Sequence, residues 1–234
     1  MSKDHQTPDE SQLKNILLGK TTDYIDQYDA SILYPVPRKI NRDSLGLDSS
    51  KAMPFFGEDV WHGYELSWLN AKGKPVVALA KFVFGCTSTN IVESKSFKLY
   101  LNSFNQTRFD STEQVRLILE KDLANTAKGQ VDVQLFTPEQ LAYFTPTALP
   151  GDCIDDCDIA IVDYQFNADY LKKGFDANNS VNETLHSHLL KSNCLITNQP
   201  DWASVVISYS GGKINRDSVL RYLISFRQHT EFHE

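Results

Sequence analysis

The sequence predicts an α+β protein built from two related modules. Two observations carry that reading. Runs of strand composition between Gly63 and Phe84 give way to stretches of helical period and then to alternating runs, and the order strand, strand, helix begins again in the second half. The echo is also literal: YLNSFNQ at Tyr100–Gln106 returns as YLISFRQ at Tyr222–Gln228, at the same place in that order, as a duplication would leave it.

Each element has its own warrant. Tyr34-Pro35-Val36-Pro37 favours an extended path. GYELSWLN (Gly63–Asn70) and PVVALAKFVF, ending at Phe84, flank Ala71-Lys72-Gly73 as the arms of a hairpin. From Ser94 the period changes, and Phe97, Tyr100, Leu101 and Phe104 share one helical face. A second helix is expected over Ser111–Ala127, with Asp110 as its cap, Glu113 as the capping-box partner, Val115, Ile118, Leu119 and Leu123 as the apolar stripe, and Gly129 as its stop. VDVQLF (Val131–Phe136) and DIAIVDYQF (Asp158–Phe166) alternate like strands. In the second half, strands are expected at His186–Leu190 and Ala203–Tyr209, a turn at Gly211-Gly212-Lys213, and a helix from near Arg216. The order stops there, so the expected organisation is an N-terminal extension (1–55), a first module (56–170) and an incomplete, C-terminally shortened second module (171–234).

Composition narrows the function. A formal charge of −7 and basic residues scattered without a block argue against a nucleic-acid partner. The polar start MSKDHQTPDESQLKN has no signal-like apolar core, and no run approaches the ~20 apolar residues of a membrane span, so a cytoplasmic protein is expected. Four cysteines are too few and too scattered for a disulfide framework, which leaves reduced thiols.

Among them Cys194 stands out, because Ser192, Asn193, Thr197, Asn198 and Gln199 surround it with hydrogen-bonding groups instead of core residues. Asp201 follows across a proline-broken stretch and either caps a turn or, if the chain folds back, serves proton transfer beside the thiol. Cys86 lacks such a partner, and Cys153 and Cys157 lack a second ligand pair for zinc, so no metal is expected. Phe232-His233-Glu234 sets an imidazole beside a carboxylate, without the HExxH zinc pattern. Glu93, just before the helix that starts at Ser94, either caps that helix or accepts bonds from a ligand ring; Lys95 and Lys98 lie on its first turns, placed for an anion or for solvent.

On VESKSFKLYLNSF (Val92–Phe104), with Glu93, Ser94, Lys95, Ser96, Lys98, Leu99 and Tyr100 in the pattern E-S/L-K-S/A-x-K-L/Y-Y/F/W, the chain resembles the nitrile reductases of queuosine biosynthesis, a tRNA-modification pathway. These convert 7-cyano-7-deazaguanine (preQ0) to 7-aminomethyl-7-deazaguanine (preQ1). NCLITNQPDW is similar to the family's nucleophile segment and FRQHTEFHE to its substrate-binding segment, in the order of the long, two-module form. The resemblance implies tandem tunnelling-fold (T-fold) modules, antiparallel sheets each backed by helices, assembled as a homodimer. It implies Cys194 as the nucleophile that forms a covalent thioimide and Asp201 as the general acid. Glu93 and Glu234 would hold the heterocycle, with Ser94 and His233 lining the pocket and Phe232 packing on the ring. NADPH would be the reductant, two per turnover, with Lys95, Ser96 and Lys98 on its side. Family members of this form continue past the His-Glu pair, so the resemblance also implies weak turnover. Two rival readings are a cysteine nitrilase or amidohydrolase, which adds water without NADPH, and a non-catalytic purine-binding scaffold with an inert Cys194.

Overall fold

The computed structural model describes residues 24–48, 51–172 and 174–230, and the chain divides into two compact units between Thr145 and Pro146. In the first, β2 (Glu58–Asn70) and β3 (Pro75–Gly85) form the expected antiparallel hairpin, with Gly73 at φ 80° in its turn. The sheet runs β5-β2-β3-β6, where β5 (Arg108–Phe109) lies parallel to β2 and β6 (Val131–Phe136) antiparallel to β3. Two helices, α2 (Ser94–Ser103) and α3 (Thr112–Ala127), are packed against it. Their Phe97, Tyr100, Val115, Leu119 and Leu123 share one core with Leu66, Trp68, Phe82, Phe84 and Val133 of the strands. That is a sheet backed by two helices, as the sequence led us to expect, antiparallel except where the short β5 joins β2.

Strict alternation along β2 fails at one place. Trp61 and Gly63 pair with Phe82 and Ala80, but a bulge follows, and Leu66 and Trp68 pair with Ala78 and Val76. The irregularity changes which parity faces the core and leaves Tyr64 and Glu65 at the kink. α3 begins one residue later than expected: Ser111 is its cap, accepting from the Gln114 amide at 3.1 Å, while the Gln114 side chain accepts from the Asp110 amide at 2.7 Å. Glu113 instead pairs with Arg116. Lys128 takes the left-handed position that ends the helix, and Gly129 is needed for space, since a Cβ there would sit 2.6 Å from that of Ser88.

The approach to α2 is laid down by β1 (Pro35–Pro37), paired with β4 (Asn90–Val92). The Glu93 amide donates to the Tyr34 carbonyl at 2.9 Å. The short helix α1 (Lys39–Ser44) follows β1 and sets the Arg42 guanidinium on the Cys86 carbonyl.

In the second unit, β7 (Asp152–Cys153), β8 (Phe175–Asn193) and β9 (Pro200–Ile214) form a sheet in that order. Helix α4 (Arg216–Ser225) packs Val219, Leu220 and Leu223 against Leu185 and Ile154. Residues 146–170, which the sequence placed with the first module, belong here, because β7 pairs with β8 and Ile154, Cys157 and Ile159 join this core. Asp158–Phe166 is not a strand. Ile159 turns inward and Val162 outward, but among the described residues no strand pairs with this backbone; the Arg221 guanidinium bonds the Ala160 carbonyl instead, at 2.6 Å. Gly211-Gly212-Lys213 is not a turn either but part of β9. A Cβ on Gly212 would meet the Asp176 carbonyl oxygen at 2.8 Å, so the glycine marks a close approach opposite the irregularity between Asp176 and Ser180.

The two units repeat one another in detail. In each echo the serine sits in the last helical turn and donates to the carbonyl of the preceding tyrosine: Ser103 to Tyr100 at 2.6 Å, Ser225 to Tyr222 at 2.7 Å. Each serine also accepts an upstream amide, from Asp29 or Asn167, at 3.2 Å in both cases. Asp29 and Asn167 in turn cap the short 3₁₀ turns Ala30–Ile32 and Ala168–Leu171. The preceding aromatic, Tyr28 or Phe166, packs on Phe104 or Phe226. Gln27-Tyr28-Asp29-Ala30 and Gln165-Phe166-Asn167-Ala168 are thus a second echo, visible once the contacts are known.

Candidate functional site

Cys194 lies at the mouth of the β8–β9 hairpin. Its amide donates to the Gln199 carbonyl at 2.8 Å and its carbonyl accepts from the Asn198 amide at 2.9 Å. In the first unit the same closure is made by the Asn70 amide to the Lys74 carbonyl at 2.9 Å. The cysteine loop is that hairpin turn opened by one residue, with Asn198 left-handed at φ 55°. Cys194 is half-buried at the start of this loop, just past the end of β8, and Leu195, Ile196, Thr197 and Asn198 follow it.

The chain does fold back. Asn193 pairs with Pro200 and Ser192 with Asp201, so the carboxylate is on the strand opposite the thiol-bearing one and exposed to solvent. The C-terminal stretch reaches the same hairpin: the Asn193 amide donates to the His229 carbonyl at 2.8 Å, and Thr230 bridges Asn193 in parallel. Phe232, His233 and Glu234 lie outside the described residues.

In the first unit Glu93 is the N-cap of α2. Its two carboxylate oxygens accept from the amides of Lys95 at 3.0 Å and Ser96 at 2.6 Å, and the residue is 4% exposed. Asn215 caps α4 in the equivalent place with a single bond to Ser218, so a shorter side chain suffices for capping alone. A carboxylate has about four acceptor positions, and those not used by the two amides can receive ligand N–H groups. Ser96 is fully buried; its hydroxyl donates to the Glu93 carbonyl and accepts the Tyr34 amide. It anchors the helix start, which occupies both of its hydrogen-bonding roles.

Beside that helix is a cavity of about 360 Å³ walled by Trp61, Tyr64, Phe82, Phe97 and Leu101, with polar groups from Ser94, Lys98 and Asn102. Gly63 helps keep it open, since a Cβ there would come within 3.2 Å of Phe82. The cavity joins two of the signature residues, Ser94 and Lys98, to an aromatic wall built by the β2 bulge. The aromatic wall was not foreseen from sequence, because strand alternation gives no sign of the bulge.

The remaining cysteines have other surroundings. Cys153 is exposed on β7, and burial together with the Asp217 carboxylate pushes the Cys157 thiol up. Among the described residues no group of three or more His, Cys, Asp or Glu is placed to hold a metal. No helix among them is long and apolar enough to cross a membrane.

Residues 24–135 match the family model described as nitrile reductase, 7-cyano-7-deazaguanine-reductase N-term. Residues 200–234 match a second, described as QueF-like protein. The first match takes in the hairpin, the Glu93 cap and the cavity, and the second takes in Asp201 and the segment that returns to Asn193.

Proposed function

The chain belongs to the 7-cyano-7-deazaguanine reductase family, which makes it an oxidoreductase acting on a nitrile, and on that premise we propose that Cys194 captures the nitrile of preQ0 covalently on the way to preQ1. The single observation that carries this is the hairpin mouth, which sets Cys194 at the start of its connecting loop with Asp201 on the facing strand.

The covalent step balances without any outside reagent. The sulfur of Cys194 adds to the nitrile carbon, the S–H bond is lost, and the proton passes by way of the Asp201 carboxylate to the nitrile nitrogen. The product is a neutral thioimide on Cys194, with one S–C and one N–H bond formed. Capture matters because a free nitrile is a poor hydride acceptor, and because a tethered intermediate cannot escape to hydrolysis. Glu93 orients the deazaguanine through its ring and amino N–H groups, with Ser94 beside it, and Phe232, His233 and Glu234 complete that role. A Glu93 pinned by two amides is pre-oriented, so little side-chain freedom is lost on binding.

NADPH, when bound, supplies the two hydrides that take the thioimide to the amine. The residues present fit the planar ring of such a group: the cavity is aromatic, and Lys98 and Ser94 line it with a cation and a hydroxyl beside His62 and the Glu65 carboxylate. Lys95 on the same helical turn adds a second cation; Ser96 holds the helix start that both lysines stand on. A homodimer is part of the reading, because β9 forms the edge of its sheet among the described residues and an open edge is a template for strand pairing.

Product analysis separates this reading from its rivals. Incubation with preQ0 and NADPH is expected to give the primary amine with two NADPH consumed per amine. Acid and ammonia without NADPH consumption would establish a nitrilase and sink the proposal.

A further inference from the structure

The stretch that runs into Phe232-His233-Glu234 is tied to the thiol-bearing hairpin by contacts that no role above uses. Lys191, on β8 shortly before Cys194, directs its ammonium to two acceptors at once. These are the side-chain oxygen of Asn193 at 2.5 Å and the backbone carbonyl of Arg227 at 2.8 Å. On β9, Trp202 pairs with Lys191, adjoins Asp201, and carries the Arg227 guanidinium 5.7 Å above its ring centre. Together with the Asn193 bond to the His229 carbonyl and its parallel bridge with Thr230, this fixes residues 227–230 to both strands of the hairpin.

The first unit shows that the fold does not require this clamp. There the equivalent backbone bond exists, Leu69 amide to Thr107 carbonyl at 2.9 Å. The position matching Lys191 is Ser67, whose hydroxyl donates to the Val76 carbonyl on the hairpin's other arm. The position matching Arg227 is Asn105, which donates to the Tyr24 hydroxyl. The ammonium bridge is therefore particular to the unit that holds the reactive thiol. Charge-assisted bonds are stronger than neutral ones, and one of these grips a main-chain carbonyl, so it sets where the backbone runs.

We propose that Lys191 is a positioning residue: it locks residues 227–230 onto the hairpin that presents Cys194. This rests on the nitrile reading of the site. Lys191→Met keeps the aliphatic stem and removes the bridge, and Lys191→Arg restores the charge. In Lys191→Met, the concentration of preQ0 that half-saturates covalent capture should rise about tenfold, and hydrogen exchange at the Asn193 amide should quicken about tenfold. Alkylation of Cys194 by iodoacetamide, which needs no binding pocket, should keep its wild-type rate, and Lys191→Arg should recover both measurements. Unchanged capture and exchange overturn the proposal, and so does an equal loss of iodoacetamide reactivity, which would make the lysine part of the thiol's general support. If Lys191→Met does not fold, Trp202→Leu, which removes the ring under Arg227, is judged by the same measurements. A wild-type protein that takes up no preQ0 on Cys194 refutes the nitrile reading alone, and the exchange rates then decide the clamp by themselves.

Discussion

Asp201 and Glu93, the two carboxylates proposed for the chemistry, differ in how much of the fold they carry. Asp201 is solvent-exposed on a strand whose pairing comes from its backbone, so its carboxylate carries little of the fold. Asp201→Asn is therefore expected to leave the denaturation midpoint unchanged while slowing covalent capture of preQ0 by roughly 10²–10⁴-fold, the usual worth of a positioned proton-transfer group. Stopped-flow or quenched mass measurements of capture would check it, and an unchanged rate would remove Asp201 from the chemistry. Glu93 was legible in the sequence only as a choice between cap and ligand. The structure gives it the cap, and its spare acceptor positions leave the second role open to it. Phe232, His233 and Glu234 carry their proposed roles from the family pattern, and the described residues bring the chain as far as Thr230 beside Asn193.

At the level of elements, the hairpins and helices were readable because their signals are local: apolar alternation in β2 and β3, a 3.6-residue period in α2 and α3, and a polar turn between the strands. What could not be read depends on partners distant in sequence. Asp158–Phe166 alternates like a strand but has no strand partner among the described residues, and the β2 bulge beside the cavity is a shift in its register with β3. One such long-range contact has a measurable consequence. The Tyr209 hydroxyl, followed by the Arg216 guanidinium, holds the Glu183 carboxyl below the usual range and joins β8, β9 and the start of α4. A carboxyl depressed in the folded state adds stability above its unfolded value, about 4.3, and loses it as the pH falls through the folded value. Tyr209→Phe should thus be less stable than wild type at neutral pH, and the gap should narrow as the pH is lowered below about 4. Urea midpoints across that range would show it; a gap independent of pH would mean that the tyrosine contributes through packing and the bond its hydroxyl accepts from the Ile214 amide, and not through Glu183.

Seen as a whole molecule, the chain is one motif used twice, and each copy carries its own candidate residues: the Glu93 cap and the aromatic cavity in the first unit, the cysteine loop in the second. The duplication was legible from YLNSFNQ and YLISFRQ, while the second echo, at Gln27–Ala30 and Gln165–Ala168, was hidden by substitutions that keep hydrogen bonding and ring contact but change the letters. Comparing the copies also shows where they differ at the candidate residues. A hairpin turn lengthened by one residue holds a thiol, and a cap that Asn215 fills with one bond is filled by Glu93 with two. The most direct measurement is a mass spectrum of the intact and digested protein after incubation with preQ0 in the absence of NADPH. The adduct should have the full mass of preQ0, map to the peptide holding Cys194, persist in Cys86→Ala, Cys153→Ala and Cys157→Ala, and vanish in Cys194→Ala. An adduct on another cysteine, or none on the wild-type protein, would contradict the assignment.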